Sequence, residues 1–164
     1  MTPATLEAHL PALDEHRRRE TGNELQATLV ELVDLSLIGK QLHWNIVGRP
    51  FKPLHEHLDE LVDSWRDLSD TVAERAVALG VAPDGRAGTV NANSGIKPVD
   101  AGAVDTDTAL RGLVTRLADV TERIRARIDS LGELDLASQD VLVEVIRELE
   151  KQQWMLRSSL PTAS

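Results

Sequence analysis

Cysteine is absent from the 164 residues, which excludes disulfides, thiol nucleophiles, zinc fingers and iron–sulfur clusters together. Any bound metal must therefore be held by His, Asp or Glu. No apolar run approaches the roughly 18 residues that a membrane helix needs. The opening stretch MTPATLEAHLPALDEHRRRE lacks a basic start followed by an apolar core. A cytoplasmic protein without a membrane partner is the expectation. Positive charge is also in deficit: the formal net charge is -9, which argues against a broad basic surface for nucleic acid or anionic lipid. The one concentrated basic run, Arg17 to Arg19, is nearly neutralised by Asp14, Glu15 and Glu20, and reads as a solvated helix end rather than a DNA contact. There is no phosphate loop, no nucleotide fingerprint and no G-x-S-x-G.

What is present is a chain of ordinary globular composition, 41% hydrophobic and 27% charged, long enough for one domain with its own core. Thr21 with Glu24 has the form of a capping box and precedes Leu25, Leu29, Val30, Val33, Leu37 and Ile38 at helical spacing. This predicts a long helix from Thr21 to about Val47, where Gly48, Arg49 and Pro50 break it. A second helix is predicted from about Pro53 to Gly80, a residue suited to the left-handed position past a helix end. The segment VAPDGRAGTVNANSGIKPVDAGAVD has no sustained period and reads as a long crossover, with one short helix near Asn91 to Ile96.

A third helix buries Leu110, Leu113, Val114, Leu117, Val120, Ile124 and Ile128 and stops near Gly132. A fourth buries Val141, Leu142, Val145, Ile146, Leu149 and Trp154. No alternating strand pattern competes. Two hairpins joined by a long crossover define an all-α, ferritin-like four-helix bundle over residues 21–160. Residues 1–20 are then an N-terminal arm carrying a short helix interrupted at Pro11, and 161–164 a short tail.

The second helix carries two pairs of ligating side chains at i, i+4: His55 with Asp59, and Asp70 with Glu74. Roughly 16 Å of helix separates Asp59 from Asp70 at about 1.5 Å per residue, whereas metal–ligand bonds are about 2.0–2.2 Å. One chain cannot close both pairs on one ion. The pairs are mirror images about the midpoint between Ser64 and Trp65. Two copies packed antiparallel across a two-fold axis at that midpoint bring His55 and Asp59 of one chain opposite Glu74 and Asp70 of the other, twice over. His43, at the same end of the first hairpin as His55, adds a third ligand from the first chain. Such a mixture of imidazole and carboxylate suits Fe(II), and spacing alone also admits Zn or Mn. The alternative reading of each carboxylate pair is a solvated helix face. Trp65, beside the axis, is expected in the interface.

Two further motif absences limit the chemistry. Glu-x-x-His occurs nowhere, which disfavours an iron pair buried inside one bundle. HEHLD is not the zinc-protease H-E-x-x-H, because Asp59 stands where the second His belongs.

KQLHWNIVGRPFKPLHEHLDEL, followed by DLSDTVAERAVALG, resembles the Dps family of mini-ferritins over Leu29 to Gly80; the C-terminal half is compatible and less diagnostic. The resemblance implies a hollow homododecamer that oxidises Fe(II), preferably with hydrogen peroxide and otherwise with oxygen, and stores ferric mineral, protecting against oxidative damage. It implies ferroxidase ligands at His43, His55 and Asp59 of one subunit and at Asp70 and Glu74 of a two-fold mate, none of them substituted. Trp44 reads either as a redox neighbour or as a packing anchor. Glu56, Glu60, Asp63 and Asp67 form an acidic stripe, either an inward-facing mineral nucleation site or a solvated face. Asp140, with Asp135 and Glu144, falls where the family lines its iron-admitting pore; the alternative is charges complementing a helix start.

Family members that condense DNA often use a lysine-rich tail, and residues 1–20 contain no lysine, while LRSSLPTAS has one Arg. Weak or absent DNA binding is therefore expected. The competing function is a nucleoid-associated protein that protects DNA with little iron chemistry.

Overall fold

The computed structural model describes residues 10, 11 and 13–160. Among these the elements run α1 Glu15–Asn45, β1 Ile46–Val47, α2 Phe51–Ala78, α3 Ala87–Asn93, β2 Val104–Asp105, α4 Thr106–Leu134 and α5 Leu136–Ser158. The expected architecture is present: α1 packs along α2, α4 along α5, and a long crossover joins the two hairpins. The two-residue strands pair in parallel, Ile46 with Val104 and Val47 with Asp105, and so fasten the end of the crossover to the α1–α2 turn. Gly80 has φ +77° just past α2, as a left-handed helix stop requires.

The first helix begins at Glu15 rather than at Thr21. Asp14 is its cap and accepts from the Arg17 amide at 2.8 Å, while Thr21 is buried mid-helix. The 1–20 arm therefore contributes its last residues to α1; the short helix expected around Pro11 and the 161–164 tail fall largely outside the described residues. The crossover helix α3 lies earlier than expected, at Ala87–Asn93. The predicted buried faces are largely correct, with two exceptions: Leu37 is 55% exposed and Trp154 58%. On α5 the core stripe continues instead through Gln152 and Leu156, which places Trp154 on the other side of the helix.

Trp65 also departs from expectation. It is completely buried inside the subunit, where Nε1 donates to Gln152 Oε1 at 2.8 Å, so it is core rather than interface. Gly39 makes this possible. A Cβ there would lie 2.6 Å from Val62 Cγ2 and 2.7 Å from Trp65 Cζ3, so α1 and α2 approach closely only because that side chain is missing. Gly39→Ala is expected to destabilise by about 1–3 kcal/mol despite the better helix propensity of alanine. Urea unfolding checks this; an unchanged or raised midpoint contradicts it.

The turn between α4 and α5 is a single residue. Asp135 caps both helices in an extended conformation, and its Oδ2 accepts from the Ser138 amide at 3.1 Å and from Arg75 Nη2 at 2.6 Å. Burial pushes the Asp135 carboxyl upward, but hydrogen bonds from Ser138 and the Arg75 guanidinium outweigh it and hold the group below its usual range. The stabilisation that follows is present above the unfolded carboxyl value of about 3.9 and is lost as pH falls through the lower folded value. The stability gap between wild type and Asp135→Asn should thus narrow below about pH 4. Urea unfolding from pH 6 to 3 measures it, and a constant gap contradicts the assignment.

Candidate metal centre

His43 near the end of α1 and His55 in the first turns of α2 face each other across the hairpin turn. Their rings stack, with centroids 3.7 Å apart and planes at 21°. Each ring is anchored on the other residue's backbone: His43 Nδ1 donates to the His55 carbonyl and His55 Nδ1 to the His43 carbonyl, both at 2.9 Å. A carbonyl oxygen can only accept, so both Nδ1 atoms carry hydrogen, and in neutral rings the lone pair is left on Nε2. This is how metal-ligating imidazoles are commonly oriented. Phe51 also stacks on His55, with ring centroids 5.0 Å apart, which further restricts that ring.

Asp59, one turn beyond His55, places Oδ1 3.2 Å from His43 Nδ1. The same oxygen accepts from Lys40 Nζ. Lys40 is the residue that sequence reading missed, and its signal was available: it lies three residues before His43, on the same face of α1. The hydrogen bond from Lys40 is the main influence on the Asp59 carboxyl and holds it below its usual range, against the opposing push of desolvation and with smaller help from the His43 charge. An arriving cation meets a carboxylate already engaged by an ammonium group.

Asp70 and Glu74 are exposed further along α2, away from this cluster. Among the described residues no three His, Asp or Glu side chains converge to hold a metal within one subunit. One chain thus brings two oriented imidazoles and one carboxylate to the same end of the hairpin without closing them on a single point, and carries a second carboxylate pair at the other end of the same helix.

The ferritin-like domain family matches residues 22–163. The DNA protection during starvation protein of Mycolicibacterium smegmatis is 36% identical, over 94% of this chain and 84% of that protein. Among solved structures, DpsA14 from Streptomyces coelicolor superposes with a TM-score of 0.89 at 35% identity, covering 93% of this chain and 91% of that one. Dps from Microbacterium arborescens in the high iron form gives 0.85 at 34% identity, covering 91% and 97%. The chain belongs to the Dps family. Iron oxidation and storage and the protection of DNA are functions of that family.

Glu56, Glu60, Asp63 and Asp67 are all exposed on α2, with Glu56 paired to Lys52 at 3.2 Å and Glu60 to His57 at 3.0 Å. Asp140 and Glu144 share a shallow groove on α5 with Leu68, Arg147 and Lys151, so the acids there are accompanied by cations. Asp135 differs from the pore expectation: its carboxylate is 13% exposed and is occupied by the helix turn and Arg75. Trp44 is 69% exposed and so anchors nothing in the core of its own subunit. No helix among the described residues is long and apolar enough to cross a membrane.

Proposed function

We propose that this protein is a ferroxidase and iron store of the mini-ferritin type, working as a hollow homododecamer. His43, His55 and Asp59 of one subunit and Asp70 and Glu74 of its two-fold mate hold the iron at each site. The observation that carries this reading is the reciprocal anchoring of His43 and His55 on each other's carbonyls, which uses both Nδ1 hydrogens and leaves the two Nε2 lone pairs free for a metal. Two Fe(II) ions held together supply the two electrons that reduce one hydrogen peroxide to two hydroxide ions, so no hydroxyl radical is released. The protein's part is to place the metals and leave coordination positions open. Trp44, next in sequence to His43 and exposed, is positioned to take up stray oxidising equivalents. The exposed acids of α2 offer sites for mineral growth, and Asp140 with Glu144 a path for the ion.

Stopped-flow oxidation of Fe(II) by peroxide and by oxygen, on a sample of known mass in solution, tests this. Faster oxidation by peroxide in a species of twelve subunits is expected; rates no greater than those of buffer contradict it. The nucleoid reading instead requires a mobility shift of DNA that persists at physiological salt, which the charge of -9 and the lysine-free first 20 residues oppose.

Lys40 is assigned the part of a tethered cation that an iron ion must displace from Asp59. Lys40→Met is therefore expected to raise the affinity for Zn(II), used as a redox-inert probe, by roughly tenfold, the scale of outer-shell effects on metal affinity. Calorimetric titration decides: weaker binding would mean that Lys40 positions the carboxylate rather than competing for it.

A further inference from the structure

The same mirror relation that pairs the ligands also pairs one acid of the α2 stripe with a basic residue. Asp63 and Arg66 flank the midpoint between Ser64 and Trp65 symmetrically. Both are exposed, and neither takes part in an ion pair among the described residues. Arg66 is, moreover, the only Lys or Arg between Lys52 and Arg75, on a helix face otherwise carrying Asp59, Asp63, Asp67 and Asp70. The other basic residues of α2 are already engaged, Lys52 with Glu56 and Arg75 with Asp135.

We propose that Asp63 and Arg66 form the centre of the interface with a second copy of this chain, each Asp63 meeting Arg66 of the mate. This rests on the two-fold arrangement of the proposed iron sites and adds what holds its register. With α2 antiparallel to its twin, the opposed residues lie at the same height, about 2 Å to either side of the axis at a rise of about 1.5 Å per residue. The four charges therefore alternate in sign around the axis.

Sliding one helix by a turn in one direction sets Asp63 against Asp70 and Asp59 against Glu74, acid on acid. Sliding it the other way sets Arg66 against Asp59, the acid already held by Lys40, and leaves Asp63 facing Val62, which is buried in the core of its own subunit. Of the three registers only the one centred between Ser64 and Trp65 gives Asp63 a basic partner, and it is also the register that brings Asp70 to Asp59 and Glu74 to His55. Asp63 thereby leaves the acidic stripe, whose remaining members Glu56, Glu60 and Asp67 stay exposed.

Charge reversal tests the pairing. Arg66→Asp and Asp63→Arg each turn two attractions into two repulsions, whereas the double variant D63R/R66D restores both with the signs exchanged. Sedimentation velocity over a dilution series in about 0.15 M salt, on metal-free protein with helix content checked by circular dichroism, reads the association. Each single reversal is expected to raise the dissociation constant of the subunit pair by about tenfold or more, and the double variant to return it to within about threefold of wild type. Single variants that associate like wild type, or a double variant as dissociated as the singles, overturn the proposal.

Should the reversals misfold, D63N/R66Q keeps the question open to measurement. Wild-type association should weaken with added salt more steeply than that of the neutral pair, and equal salt slopes overturn the proposal. The iron reading stands or falls separately. An unaltered rate of Fe(II) oxidation in Asp59→Ala sinks that reading whatever the association data show, and wild-type association in Arg66→Asp sinks the pairing whatever the iron data show.

Discussion

Replacing Asp59 by alanine is expected to cut the initial rate of Fe(II) oxidation by about 100-fold or more, and replacing Glu74 by alanine to do the same, because losing even an outer-shell partner of a metal ligand costs about 10–100-fold. The two residues are on one helix but roughly 22 Å apart at about 1.5 Å per residue. In a single subunit they have nothing in common: Asp59 is engaged by Lys40 and His43, and Glu74 is solvated on the far half of α2. Equal losses from both substitutions are therefore a property of the assembled pair. Stopped-flow oxidation with peroxide checks this. A large loss from Asp59→Ala with none from Glu74→Ala would show that one subunit completes its own site.

The largest expected effect on stability comes from Glu31, a carboxylate 2% exposed in the middle of α1. It accepts from Arg123 Nε and, at 2.6 Å, from Arg127 Nη1, both on α4, so it ties the two hairpins of the bundle together. Gly95 of the crossover packs against the same cluster: a Cβ there would lie 3.3 Å from both Arg123 Nε and Glu31 Oε1. Glu31→Ala leaves two arginines facing each other without a counter-charge and is expected to cost about 3–5 kcal/mol. Replacing all three residues by apolar ones of similar volume should cost less than the single change, since the desolvation of every charge is then removed with the attraction. Urea unfolding of the single and triple variants decides, and a single variant more stable than the triple contradicts this account of the cluster.

Helical periodicity made the four long helices, the crossover and the stop at Gly80 legible, because apolar residues recurring every three to four positions leave few other ways to bury them. It could not see where α1 begins. Residues Glu15 to Glu20 are charged on every side, so they carry no period, and both Asp14 and Thr21 have cap chemistry. The structure places the cap at Asp14. Leu37, at helical spacing from Val33, and Trp154, two turns beyond Ile146, fit the period of the buried faces, yet both are exposed. The approach of His43 to His55 was legible, since the Gly48–Pro50 break turns the chain between them. The anchoring of each ring on the other's carbonyl was not, because backbone acceptors leave no mark in sequence. Lys40 and Glu31 were missed for a related reason: a lysine or glutamate within a helical period looks like a solvated charge until its partner on another helix is known. For Glu31 those partners, Arg123 and Arg127, repeat at i, i+4 on α4, which was the available signal.

A complementation experiment tests the two-fold sharing of ligands most directly. Asp59→Ala and Glu74→Ala subunits, each inactive as a homo-oligomer, are co-assembled in equal amounts from dissociated protein. A mixed pair has one site lacking both residues and one site with every ligand intact. Half the pairs are mixed at random and half of their sites are whole, so recovery of about one quarter of the wild-type oxidation rate is predicted. Activity no higher than that of the two parents, in a co-assembly shown by mass to be mixed, would contradict the shared site.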